Sequence, residues 1–241
     1  MQQLRVLVAD DDKDAVASLM LLLQEEGHDV VWASEGRGEA TRERAQSFRD
    51  AGTVGALAQQ VELILSICPP HAARDVARSV EGFDGIYVDA NAISPMRAAE
   101  VAEVHSCFVD GGIVGGPPDE PGTTIYLSGE EAATVAGLFS GSRLEPRVVD
   151  DASAVKMAYA AWSKGTAAML LAIRDVARHF GVEDEWRLAT PELGERLASA
   201  ERSAAAKGWR WIGEMEEIAD TFAAAGRPDG FHRAAAEVYR A

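Results

Sequence analysis

The sequence predicts an α/β fold, a doubly wound parallel sheet followed by an all-α domain. Three observations carry this. Short apolar runs of strand type, at 4–8, 30–32, 61–67, 85–89, 107–112 and 124–127, alternate with helical patterns near 15–26, 38–51, 72–80, 95–104 and 130–139. Such alternation calls for parallel strands joined by right-handed crossovers, with helices on both faces of the sheet. From Asp151 to Phe180 the chain is rich in Ala and free of Pro, and beyond it 191–207, 209–225 and 228–239 all read as helix. The division is therefore an α/β domain over 1–150 and an α-helical domain over 151–241.

The stretch 151–180 organises this scheme. Val155, Ala158, Tyr159, Trp162, Ala168, Leu171 and Ile173 recur at helical spacing. Asp150, Asp151 or Ser153 can cap its start, and Gly181 follows its end. Some 30 residues give roughly 45 Å, a length that suits a helix joining two domains or running through a dimer. Lys156 sits in its first turns among small and apolar neighbours, as a catalytic group or as a surface charge with a buried stem.

Composition narrows the partners. The formal net charge of −16 repels phosphate and argues against nucleic acid. No apolar run approaches the ~20 residues of a membrane span, and Asp10, Asp11 and Asp12 arrive too early for a signal peptide. Cys68 and Cys107 lack metal-ligand spacing and read as reduced thiols of a cytoplasmic protein. The aromatic and Ala-rich helices after 150 suit a dimer interface, with Trp209 and Trp211 as candidates; His179 and His232 read as surface or packing residues.

Two resemblances follow from the motifs. The first βαβ, with Asp10 and Asp11 closing its first strand and the GHDV stretch at 27–30, resembles a response-regulator receiver domain, whose paired acids help hold Mg²⁺. No phospho-accepting Asp follows, because 61–67 ends in Cys68-Pro69-Pro70. From about residue 27 onward the segments WASEGR (32–37), ICPPHAA (67–73), YVDANAISP (87–95), FVDGGIVGGPP (108–118) and VKMAYAAWSKG (155–165) resemble the β-hydroxyacid dehydrogenases, relatives of 6-phosphogluconate dehydrogenase and the imine reductases. That resemblance implies a Rossmann-like domain binding a dinucleotide, and a helical domain that completes the substrate cleft and a homodimer.

In an open parallel sheet, ligands gather at the carboxyl ends of the strands. There the resemblance places Cys68, Pro69 and Pro70 toward the cofactor, and Asn91, Ala92, Gly115 and Gly116 toward the substrate. The two glycines either make a tight turn or bring bare backbone N–H groups to a substrate carboxylate. Lys156 matches the family's catalytic lysine, which exchanges a proton with the substrate as hydride moves; enclosure can lower a lysine pKa toward neutrality for that work. Where the family has an asparagine one turn later, this chain has Tyr159 and Ala160, and Tyr159 can offer its hydroxyl to the substrate. Ser34 and Arg37 suit the 2′-phosphate of NADP, although Glu35 opposes it and Arg37 also reads as a solvated charge opening a helix.

The family's first strand runs into a glycine-rich G-x-G-x-x-G turn; here Ala9-Asp10-Asp11-Asp12-Lys13-Asp14 occupies that place. One like-charge pair at 4 Å costs about 1 kcal/mol in water and about 4 kcal/mol at an effective dielectric of 20. Several such acids cancel a micromolar affinity of roughly 8 kcal/mol. The expectation is an NADP-dependent oxidoreductase by lineage whose cofactor binding is weak or lost. The alternative is an engineered chimera, a receiver segment grafted near 27–33, with no catalysis. A Mg²⁺ site at Asp10 and Asp11 lacks a third carboxylate.

Overall fold

A computed structural model describes residues 5–9, 20–35, 38–116, 122–189 and 191–240. Asp10–Asp14 and Arg37 lie outside them. The chain divides into two compact units, Met1–Lys156 and Met157–Ala241.

In the first unit, β1 (Arg5–Ala9) is followed by helix α1 (20–25), β2 (Asp29–Trp32), α2 (Glu39–Arg44), β3 (Arg49–Asp50), α3 (Val54–Ala58) and β4 (Leu63–Ser66). A 3-10 turn (Pro70–Ala72), α4 (Ala73–Ser79), β5 (Ile86–Asp89), α5 (Pro95–Ala102) and β6 (Phe108–Val114) continue the alternation. Then come β7 (Thr123–Ser128), α6 (Ala132–Gly137), β8 (Leu144–Val148) and α7 (Ala152–Ala160). The strands form one sheet in the order β3-β2-β1-β4-β5-β6-β7-β8. Its first six positions follow the 3-2-1-4-5-6 order of dinucleotide-binding folds; a receiver-type order, 2-1-3-4-5, would end at β2.

The sheet is parallel from β3 to β6, but β7 is antiparallel to β6 and β8 is parallel to β7. The expected doubly wound parallel sheet is present, with one antiparallel pair, β6–β7, near its edge. The reason is local: β6 and β7 are joined by the short connection that opens at Gly115, too short for the dozen or more residues of a crossover. Two strands escaped sequence reading. β3 is only two exposed residues inside a stretch read as helix, and β8 (LEPRV) carries a proline and two charges, as edge strands tolerate.

Strand alternation explains the two cores. Leu63, Leu65, Val88, Val109, Ile125 and Leu127 face one side with α1 and α6 residues such as Leu23 and Val135. Ile64, Tyr87 and Val31 face the other, with Leu57, Ala73, Ala77 and Val101 of α3, α4 and α5. Burial on both faces is why these strands read as unbroken apolar runs.

The second unit is helical: α7 leads through a π-helical turn (Ala161–Gly165) into α8 (Thr166–His179), then α9 (Glu183–Arg187), α10 (Pro191–Ala224) and α11 (Gly230–Arg240). Two expectations are corrected. The long helix from 151 is interrupted by the π turn; Tyr159, Trp162 and Ile173 are exposed, whereas Met157, Ala160, Ala168 and Leu171 are buried. The break read at Gly208 is absent, because α10 runs unbroken from Pro191 to Ala224 through Gly208, whose missing Cβ faces the Tyr239 ring at 3.6 Å. The break near 225 is present, between α10 and α11. The core of this unit gathers Leu171, Leu197 and Ala200 with Trp186, Val238 and Tyr239. No described helix is long and apolar enough to cross a membrane.

Candidate functional site

The site of interest is built at the carboxyl edge of the sheet in the first unit. Four side chains form a row there. Ser66 of β4 pairs in register with Asp89 of β5, Asp89 with Asp110 of β6, and Asp110 with Ser128 of β7. All four are buried.

Asn91, two residues past Asp89, ties the row to the cofactor loop proposed from sequence. Its Oδ1 accepts a hydrogen bond from the Cys68 backbone N–H, its Nδ2 donates to Ser66 Oγ at 3.4 Å, and its own N–H donates to Asp89 Oδ1 at 3.0 Å. Asn91 is 1% exposed, and its amide bridges the Cys68 backbone through Oδ1 and Ser66 of β4 through Nδ2. Ala92 is half-exposed beside it, Cys68 and Pro69 are half-buried, and Pro70 is buried at the start of the 3-10 turn. Burial pushes the Asp89 carboxyl up to about 7, opposed by the Asn91 bonds and reinforced by the nearby Asp110 charge. Its Oδ2 has no hydrogen-bond partner.

Lys156 stands at the end of β6. Its Nζ donates to the Ile113 carbonyl at 2.6 Å, two residues before the Gly115-Gly116 turn. Helix and strand approach closely here, since a Cβ on Gly112 would lie 2.9 Å from Lys156 Cβ and 3.0 Å from the Ala152 carbonyl. Gly112 lies inside β6, which runs on to Val114.

Gly115 has φ +125°, and a Cβ on it would meet Thr123 at 2.7 Å, so the turn itself demands glycine. Gly116 has open space around its missing Cβ, and its carbonyl accepts from Thr123 Oγ1 at 2.7 Å. Both glycines are exposed. The structure thus brings together Lys156, Gly115 and Gly116, and separately Asn91, Ala92 and Cys68-Pro69-Pro70 on the neighbouring strand ends. Tyr159 belongs to the second unit, 43% exposed one turn further along the helix.

Ser34 lies two residues past the end of β2. Its N–H donates to Asp50 Oδ1 at 3.1 Å, and its carbonyl accepts from Arg42 Nη2 at 3.3 Å. Hydrogen bonding at Ser34 leads the effects that hold Asp50 below the usual carboxylate range, with the Gly52 N–H bond and the Arg42 charge helping. Asp50 and Arg42 were missed in sequence, because only the strand pairing β2–β3 brings Asp50 beside Ser34. Among the described residues no group of three His, Cys, Asp or Glu could hold a metal ion.

A family described as a domain of unknown function, DUF1932, matches residues 177–241. An uncharacterized 28.5 kDa protein of Methanothermus fervidus is 29% identical over 168 residues; the match spans 65% of this chain and 65% of that protein, under two thirds of its length. A conserved protein of unknown function, described for its structural similarity with 3-hydroxyacid dehydrogenases, superposes with a TM-score of 0.69 at 25% identity over 98% of this chain and 97% of the other. The 3-hydroxyisobutyrate dehydrogenase of Salmonella typhimurium gives a TM-score of 0.71 at 14% identity, covering 98% and 93%. A reductive aminase from Aspergillus terreus, in complex with NADPH and ethyl levulinate, gives 0.62 at 15%, covering 99% and 93%. The chain has the fold of the 3-hydroxyacid dehydrogenases.

Proposed function

We propose that this chain is an NADP-dependent oxidoreductase of the β-hydroxyacid dehydrogenase and imine reductase type. The observation that carries the reading is the Lys156 amine, held on the Ile113 carbonyl immediately before the exposed Gly115-Gly116 turn. Proton donor and carboxylate-binding amides stand together at the edge of a sheet whose strand order suits a dinucleotide. The nicotinamide supplies the hydride when bound. The chain's own residues do the rest: Cys68-Pro69-Pro70, pinned by Asn91, line the cofactor side, and Gly115 and Gly116 orient the substrate's acidic group. Lys156 Nζ holds the proton that a carbonyl oxygen or imine nitrogen takes up. Ala92 contributes a contact to the substrate.

The cofactor fit is partial. Ser34 with Arg42 suits the adenosine end, and Arg37 adds charge for a 2′-phosphate, whereas Asp50 opposes it. The Asp10–Asp14 run replaces a glycine-rich turn and weakens pyrophosphate binding. A homodimer through the C-terminal helices is supported by the exposed Met169, Ile173, Val176 and Phe180, spaced as one stripe along α8 and just past its end. The test is oxidation of NADPH by a panel of imines and β-keto acids, with Lys156→Ala as control. Activity lost with Lys156 supports the proposal; activity that survives it sinks the assignment.

A second reading, a receiver-fronted hybrid without catalysis, is favoured by the same acidic run. It expects cooperative melting with no shift on adding NADPH.

A further inference from the structure

We infer that Asp110, with Ser128 and Ser153, is the positioning device of Lys156: a buried carboxylate on β6 that seats the first turn of α7 and so fixes where the amine stands. The inference rests on the reading of Lys156 as proton donor and adds residues to it. Asp110 Oδ2 accepts from the Ser153 N–H at 2.7 Å and from Ser128 Oγ at 3.2 Å, and Oδ1 accepts from Ser153 Oγ at 2.6 Å. Ser128 Oγ also accepts the Ala152 N–H at 3.0 Å. The first amides of a helix have no partner within it; here two are answered from two neighbouring strands.

Burial pushes the Asp110 carboxyl up, and the donors from Ser153 and Ser128 oppose it. Whatever its charge, the carboxyl is fixed by three donors from two elements. Strand and helix then meet twice more. Gly112 leaves room for Lys156 Cβ, and the Ile113 carbonyl holds Nζ at 2.6 Å. Positions 110, 112 and 113 of the strand thereby register 152, 153 and 156 of the helix. An N-cap that served stability alone would need only the first of these contacts.

The test compares wild type, Ser153→Ala and Asp110→Asn in the full chain. Trace acetylation with mass spectrometry reads the rate at Lys156 against that at exposed Lys207 in the same molecules. Positioning predicts that Ser153→Ala raises the Lys156-to-Lys207 ratio by about 10-fold, with Asp110→Asn larger. It also predicts a fall in kcat of about 10- to 100-fold, with KM for NADPH changing by less than about two-fold. Should Asp110→Asn fail to fold, Ser153→Ala decides, because it keeps the backbone bond to the carboxylate. A ratio unchanged in the folded variants overturns the inference, as does an equal rise at both lysines. A changed ratio in a protein without Lys156-dependent turnover leaves the positioning standing and removes the proton-donor reading.

Discussion

Asp89 and Asp110 face each other in register on β5 and β6, yet only Asp110 has its charge answered. Asp110 collects three donors, whereas Asp89 accepts the Asn91 N–H and leaves Oδ2 without a partner. Burial pushes both carboxyls up; at Asp110 the Ser153 and Ser128 donors oppose it, and at Asp89 the Asn91 bonds do.

Stability should therefore fall with rising pH on account of Asp89. Its folded pKa, about 7, lies above the ordinary 3.8, so the folded state keeps a proton that the unfolded chain gives up. This contribution is full below pH 4 and is lost progressively up to about pH 7, with a ceiling on the order of 4 kcal/mol. Asp89→Asn keeps the acceptor for Asn91 and cannot ionise. Urea unfolding at pH 5 and pH 8 should show the variant gaining on wild type at the higher pH; an equal difference at both would contradict the assignment.

The two turn glycines should part company on substitution. Gly115→Ala forces a side chain into the left-handed region against Thr123 and should cost about 1–3 kcal/mol by denaturant unfolding. Gly116→Ala meets open space and should change stability by less than about 0.5 kcal/mol. If Gly116 binds substrate, the same variant should raise KM while leaving the melting temperature in place.

Removing the charge of Asp50 should favour NADPH over NADH. Asp50→Asn retains an acceptor for the Ser34 and Gly52 amides. One unit charge near a phosphate in water is worth about 1 kcal/mol, so the ratio of the two affinities should move by roughly five-fold, read by fluorescence titration. An unchanged ratio would place the 2′-phosphate elsewhere.

In the helical unit, Lys164 of the π turn is paired with Glu214, both little exposed, and the Tyr239 hydroxyl donates to the Lys164 carbonyl at 2.5 Å. Losing one partner strands the other charge. Lys164→Met should cost about 3–5 kcal/mol, and adding Glu214→Met should recover much of it. A calorimetric double-mutant cycle checks this, and strict additivity would show the pair to be uncoupled.

Much of this was legible in the sequence, for physical reasons. Strands buried on both faces announce themselves as runs such as Leu63-Ile64-Leu65, and the helix read near 95–104 is α5, capped by Ser94; the short α3, capped by Thr53, was not read. Lys156 among small residues at a helix start left a catalytic group and a surface charge both open, and only the family resemblance singled out the first. Asp110 was not singled out, although an acid inside the apolar run Phe108–Gly112 is itself a signal: such a charge must find partners. Those partners, Ser128 and Ser153, are far along the chain, and only the sheet and α7 bring them close. Gly208 misled because glycine reads as a break, while tight packing against Tyr239 explains its presence inside α10.

The most direct measurement is NADPH oxidation by wild type and Lys156→Ala across imines and β-keto acids, followed at 340 nm at increasing cofactor concentration. The account predicts turnover that saturates only at high NADPH and falls by about 100-fold or more without the lysine. No turnover with any substrate, or equal turnover in the variant, would contradict it.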